Sequence, residues 1–278
     1  MKKFLNLRVG RKFNKHSIMS IHSKLESIRT TIRKNSKSVI DNIIENHIQR
    51  KRKVTINKES DICVFCSSPD NLTKEHVIPR WLFEKCTQGF FVTDINGLSQ
   101  TYNKTTIPVC SSCNSDRLNT LEKYISQLFE DTDLKKTSFS DEEIENIIRW
   151  LEIIDYKFQI LNVIRKFKVS KKNGYIPYLA DFPLSMLRLD AEYTPAKVIA
   201  EIRRSQKRIT VKRKAQSINS LVTFKTSNKS FNFFHHMDDF IFIELPKQQI
   251  ALFYFYKKVF VDEKDAHKEA ITIINKFY

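Results

Sequence analysis

No stretch of the 278-residue chain approaches the roughly 18 consecutive apolar residues that a membrane-spanning helix needs. The basic N-terminus also lacks the apolar core of a secretory signal, so a cytoplasmic location is the expectation. Glycine is scarce, with four in all, and neither Gly nor Pro occurs between Arg11 and Ser68. No glycine or proline in that segment interrupts a helix. Acidic residues are also short: 31 Asp and Glu stand against 48 Lys and Arg, a formal net charge of +17. A surplus of this size points to a polyanionic partner, nucleic acid before an anionic membrane surface. Cysteine is limited to five, four of them in two Cys-x-x-Cys pairs. In a reducing compartment that spacing reads as metal before disulfide. The fifth, Cys86, reads as a small buried or half-buried thiol.

Residues 1–59 form a basic segment. Over residues 1–58, sixteen Lys and Arg from Lys2 to Lys58 face only Glu26, Asp41 and Glu45, which gives +13 of the total charge. Apolar residues recur at Ile18, Ile21, Leu25, Ile28 and Ile32, then at Ile40, Ile44 and Ile48. Spacings of three and four predict one or two amphipathic helices, with Asn35-Ser36 as the expected break. The segment can grip a nucleic-acid backbone, pack its Ile stripe on the body or on a partner chain, or remain a solvated face. The run Arg50-Lys51-Arg52-Lys53 is its candidate backbone contact.

Residues 60–130 hold the two Cys pairs. A short hairpin is expected at the first pair, a strand over Glu75–Ile78, a short strand at Ile107–Val109 and a helix from about Ser115 to Glu130. Residues 131–278 read as an α+β region. Ser140 and Glu143 form a capping box ahead of a helix that is apolar on nearly every side, so a buried spine is expected over 139–168. Residues 175–200, with three prolines, read as irregular. Alternation predicts strands at Lys197–Ile202, Ile209–Lys212, Leu221–Lys225, Phe240–Leu245 and Ile250–Phe255, the last two as a hairpin around Pro246-Lys247-Gln248. Ala266–Phe277 reads as a closing helix. Arg203, Arg204, Lys207 and Arg208 make a second basic cluster, read either as a backbone-contact ridge or as a solvated loop. His235-His236 reads as a strand end with ordinary polar residues.

The candidate chemistry lies between residues 63 and 122. Cys63, Cys66, Cys110 and Cys113 supply four thiolates, the donor set of a closed tetrahedral zinc site. The 43 residues between the pairs, Ser67 to Val109, exceed the usual spacing. Relative to a loop of about 18 residues the extra length costs only about 0.8 kcal/mol in closure entropy. Zinc binding is worth on the order of 10 kcal/mol, so one shared ion is the expectation. Glu75-His76 lies inside that loop. His titrates near neutrality and can take a proton from water. Glu is a hard oxygen ligand suited to Mg²⁺ or Mn²⁺.

The order Cys63-Val-Phe-Cys66, Glu75-His76-Val77-Ile78-Pro79-Arg80-Trp81, Cys110-Ser-Ser-Cys113-Asn114, Leu121-Glu122 resembles the HNH endonuclease family with its ββα-metal fold. The resemblance covers about 60 residues and implies an HNH ββα-metal module within residues 60–130; with the helical arm before it and the helix-plus-antiparallel-sheet region after it, an α+β chain is expected. It implies a DNA phosphodiester hydrolase in which His76 is the general base. Glu75 and Asn114 would be the protein ligands of the catalytic Mg²⁺ or Mn²⁺, and the four Cys would hold a structural zinc. The middle Asn of the family's motif has no clear counterpart. Asn103 and Thr105 are the nearest candidates, Asn119 is a possible extra ligand, and Arg80 could reach a phosphate. Trp81 is expected to pack the hairpin against the following helix. Competing readings are a zinc-stabilised nucleic-acid-binding protein without catalysis, and a subunit whose helical arm holds a partner or a second copy.

Overall fold

The computed structural model describes residues 15–48, 61–83, 90–92, 99–130, 139–166, 195–212, 219–236 and 239–277. Helix α1 spans Lys15–Ile43 and continues as a wide turn over Ile44–Ile48. It runs through Asn35 and Ser36 without the expected break. Their side chains return hydrogen bonds to Thr31 O and Arg33 O, one turn earlier, which settles two helix-weakening groups inside the helix itself. Its apolar stripe, Ile21, Leu25, Ile28, Ile32, Val39, Ile40 and Ile43, is buried in the main core. Arg50–Lys53 and Cys86 lie outside the described residues.

Strand β1 (Leu72–His76) pairs antiparallel with β4 (Thr106–Cys110), Leu72 opposite Cys110 and His76 opposite Thr106. Between them lie the short helical turn α2 (Arg80–Phe83) and a second antiparallel pair, β2 (Phe90–Val92) with β3 (Ser99–Thr101). After β4 the chain makes a wide helical turn over Ser112–Leu118 and enters α3 (Asn119–Glu130). Two antiparallel strands followed by a helix therefore surround the Cys pairs.

Helix α4 (Asp141–Lys166) is the spine. Its capping box is formed: Ser140 N donates to Glu143 Oε2 at 2.7 Å and Glu143 N to Ser140 Oγ at 3.3 Å. Burial extends around nearly its whole circumference, and it encloses charged residues as well as apolar ones. Helix α5 (Pro195–Thr210) replaces the strands expected at Lys197–Ile202 and Ile209–Lys212. Val198, Ile202 and Ile209 recur at helical spacing and are buried, and Pro195 occupies the first helical position, where its missing N–H costs nothing. The β-branched residues that suggest a strand serve here as the packing stripe against α4 and α1.

The remaining strands form one antiparallel sheet in the order β5-β8-β7-β6: β5 Leu221–Lys225, β6 Asn232–His236, β7 Phe240–Leu245 and β8 Ile250–Phe255. The expected hairpin joins β7 to β8, with Leu245 opposite Ile250 and Gln249 at φ 54° in the turn. One face, with Ile241, Ile243, Leu252 and Tyr254, joins the main core. The other, with Phe242, Phe253 and Phe255, is covered by Ala266, Ala270 and Ile274 of α6 (Glu263–Phe277). Cover on both sides explains why β7 and β8 are buried at every position. The chain is thus α+β, and α1, the Cys segment, α4, α5 and one sheet face share a single hydrophobic core.

Candidate functional site

The first Cys pair sits in a tight turn. Cys63 N donates to Ser68 O at 2.7 Å and Ser67 N to Cys63 O at 2.8 Å, with Ser67 at φ 57° to reverse the chain. Val64 N reaches Pro108 O at 3.2 Å and Ser111 N reaches Asn71 O at 3.0 Å, so backbone bonds tie the first pair to the strand that delivers the second. The four sulfurs of Cys63, Cys66, Cys110 and Cys113 lie within 4.8 Å of one another, and Cys66 and Cys110 are 3.5 Å apart. A tetrahedral zinc–thiolate site with bonds of about 2.3 Å places its sulfurs about 3.8 Å apart. These four residues can hold a zinc ion as they stand.

The protons of Cys63, Cys66 and Cys113 conflict. Hydrogen bonding from Cys113 holds Cys63 down at about 4 against the effect of burial. Cys66 is pushed up to about 11 by burial, with the Cys63 charge adding to it, and Cys113 rises further. The Cys63 thiolate forms readily, while Cys66 and Cys113 resist until a cation joins them, as expected for a zinc-binding donor set. Arg117, which the sequence reading missed, supplies part of that positive charge. Its Nη1 donates to Cys113 Sγ at 3.0 Å and its Nε to Ser27 Oγ of α1 at 3.1 Å. The only signal in the sequence was its place four residues after Cys113, one turn along the helix.

The Glu75-His76 dipeptide ends β1, where neighbouring side chains leave opposite faces. Glu75 is buried and meets α4; the half-buried His76 ring lies beside Phe83, centroids 6.0 Å apart. Facing Glu75 is Lys157 of α4, 1% exposed at its side chain. Its ammonium donates to Glu75 Oε1, to Glu122 Oε1 at 3.2 Å and to His76 O at 3.2 Å. A lysine has three N–H donors, and these acceptors use all three. Burial works against the Lys157 charge, but the two carboxylates outweigh it and raise its pKa. Glu122 is shifted upward, first by burial and then by the Glu75 charge, against the pull of Lys157.

Asn114 leaves the second Cys pair and donates from Nδ2 to Thr73 Oγ1 at 3.0 Å, while Thr73 Oγ1 donates to Val109 O at 2.7 Å. Thr73 and Glu75 alternate on one face of β1, so Asn114 stands on the Glu75 side of the strand. Among the described residues the four cysteines are the one group of three or more Cys, His, Asp or Glu close enough to share an ion; Glu75, His76 and Glu122 do not form another.

Thr105 is fully buried. Its carbonyl accepts from Val77 N at 2.9 Å and its hydroxyl donates to Thr101 O at 2.9 Å, so it fixes the loop next to His76 through the backbone. Asn103, Asn119 and Arg80 are exposed. Trp81 packs as expected, stacked on Trp150 at 6.1 Å and beside Phe129 at 6.5 Å. In the second basic cluster Arg203 and Lys207 are exposed, and Arg204 pairs with Glu201. Arg208 corrects the expectation of an outward contact: it turns inward to pair with Asp155 and lies 4.8 Å over the Tyr256 ring. His235 donates or accepts at the same Asp155, Nε2 to Oδ1 at 3.0 Å, which is a polar anchor and not a metal ligand set. No helix among the described residues is long and apolar enough to cross a membrane.

No protein-family model matches the chain, and neither a curated protein nor a solved structure matches it.

Proposed function

We propose that the chain is a metal-dependent endonuclease of the HNH kind that hydrolyses phosphodiester bonds in DNA. One observation carries this reading. The motif's parts, separated by up to 50 residues (Cys63 to Cys113), gather around a single antiparallel strand pair: four thiols at one end, Glu75-His76 at the other, and Asn114 stepping off the last thiol against Thr73. The charge agrees with a polyanionic substrate. Exposed Arg33, Lys34 and Lys37 on α1 and exposed Arg203 and Lys207 on α5 belong to two packed helices, joined where Arg33 donates to Thr210 O at 2.9 Å. Their ridge suits a phosphate backbone.

The residues also fit a hard divalent ion such as Mg²⁺ or Mn²⁺. Glu75 Oε2 and Asn114 Oδ1 are engaged by no protein donor among the described residues, and both are oxygens on one side of β1. When bound there, such an ion neutralises charge on the phosphate. His76, whose ring leaves the other face at the very end of β1, would take the proton of the attacking water, and the four Cys, once closed by zinc, would keep β1 and the Asn114 turn in register.

The test is plasmid cleavage with Mg²⁺ or Mn²⁺, beside His76→Ala and a chelator control. Cleavage abolished in both controls, with about one zinc per chain by metal analysis, is the expected result. A second reading, a zinc-stabilised nucleic-acid-binding protein, is favoured by Lys157, which already gives Glu75 a counter-charge. Duplex binding without cleavage, unchanged in His76→Ala, selects that reading. A zinc content near zero removes the clasp from both.

A further inference from the structure

We infer that Lys157 is a positioning residue of the proposed nuclease site: one buried ammonium fixes the Glu75 carboxylate and the His76 backbone together. The inference rests on the nuclease reading and adds to it a residue from a helix outside the motif. The motif's expected middle Asn, which should orient the base and its loop, has no clear counterpart in the sequence, and Asn103 is exposed. Thr105 secures the loop at Val77 but only through its carbonyl. Lys157 reaches the dipeptide itself from α4. Its three acceptors are Glu75 Oε1, His76 O and Glu122 Oε1, so none of its donors is left to swing elsewhere.

The location strengthens the case. Lys157 sits on the spine helix among fully buried neighbours such as Tyr156, whose hydroxyl donates to Val64 O of the first Cys turn. The same helix thus holds the Cys clasp through Tyr156 and the Glu75-His76 pair through Lys157, and their spacing is set by one rigid element. Glu122 is the third post. It steadies the ammonium and leaves the cluster with one more carboxylate than ammonium groups, a net charge of −1. Lys157 takes one oxygen of Glu75 and leaves the other for the ion. This is how a neighbouring donor orients a carboxylate ligand.

The experiment uses the full zinc-loaded chain carrying Lys157→Met together with Glu122→Gln. Removing one ammonium and one carboxylate keeps the cluster at −1 and avoids stranding two buried carboxylates. Three quantities are read: duplex affinity, Mn²⁺ affinity by electron paramagnetic resonance, and single-turnover cleavage. The expected result is unchanged zinc content and duplex affinity, Mn²⁺ affinity lower by about tenfold, and cleavage slower by about thirtyfold. Lys157→Arg keeps the charge but not the three-acceptor geometry. It covers the case in which the double variant does not fold, with the same signs and about fivefold effects. A double variant, or an Arg variant, equal to the parent in Mn²⁺ affinity and rate overturns the inference and leaves the nuclease reading intact. A parent that neither binds Mn²⁺ nor cuts removes the nuclease reading and the inference with it. In a parent that binds Mn²⁺ without cutting, the Mn²⁺ comparison alone decides the role of Lys157.

Discussion

Two buried ionic clusters hang from the same helix two residues apart, and they are built differently. Asp155 accepts from Arg208 at Oδ2, and from Gln159 Nε2 at 3.0 Å at Oδ1, with His235 also on Oδ1. Burial alone would raise its pKa, but Arg208 and then His235 outweigh it and hold it at about 2. The Lys157 cluster has one ammonium for two carboxylates, its carboxylates keep some contact with solvent, and Glu122 is pushed upward. The first cluster is balanced, closed and structural. The second is short of positive charge and opens beside the motif strand. Burial alone does not separate the two clusters; the charge count and the access to solvent do.

The largest expected effect comes from breaking the balanced cluster. Asp155→Asn strands the buried Arg208 guanidinium and should cost about 3–5 kcal/mol in denaturant unfolding. Lys157→Met should cost less, roughly 2–3 kcal/mol near neutral pH, because Glu122, already shifted upward, can take up a proton. That loss should shrink at mildly acidic pH in paired urea melts; a loss independent of pH argues that the cluster is as closed as its neighbour. His235→Asn removes one bond to a charged acceptor and should cost about 1.5 kcal/mol. Glu122→Gln relieves the surplus charge and should lie within about 0.5 kcal/mol of the parent, towards greater stability.

The pH dependence sharpens the same contrast. Asp155 has a folded pKa of about 2 against an ordinary 3.8. Its contribution is therefore present above about pH 4 and lost as pH falls towards 2. Glu122 has the opposite sign, since its folded pKa lies above the ordinary 4.5. Stability should rise as pH falls through the raised value. A stability curve of the parent should climb on mild acidification and collapse below pH 4, and Glu122→Gln should flatten only the climb.

Much of this architecture was legible in the sequence because it depends on local patterns. The Ser140–Glu143 box, the β7–β8 hairpin, the Ile stripe of α1 and the paired cysteines are all written within a few residues of one another. Pro195–Thr210 was misread because Val198, Ile199 and Ile202 also satisfy a strand's preference, and only packing against α4 and α1 selects the helix. Lys157 was missed for a different reason. Its run was read for apolar content, while Glu152, Asp155 and Lys157 inside it were themselves the signal, since charges rarely enter a buried helix unless paired. Their partners lie on β1, α3, α5, β6 and β8, and no local pattern names them. At the candidate site the residue types and their order were readable, but the sharing of Glu75 with Lys157 was not.

The seat of α1 has a consequence for how the chain is made. Arg33 meets Thr210 across 177 positions of sequence. At roughly 5–20 residues per second of synthesis, that partner follows about 10–35 s later. Until then one side of an early, basic, amphipathic helix is without its final cover, and the α1–α5 junction can close only after the Cys segment and the spine helix have emerged. Biogenesis, more than the finished fold, is where this protein is exposed to misassembly, and moderate growth temperature or a chaperone that shields α1 should raise its soluble yield.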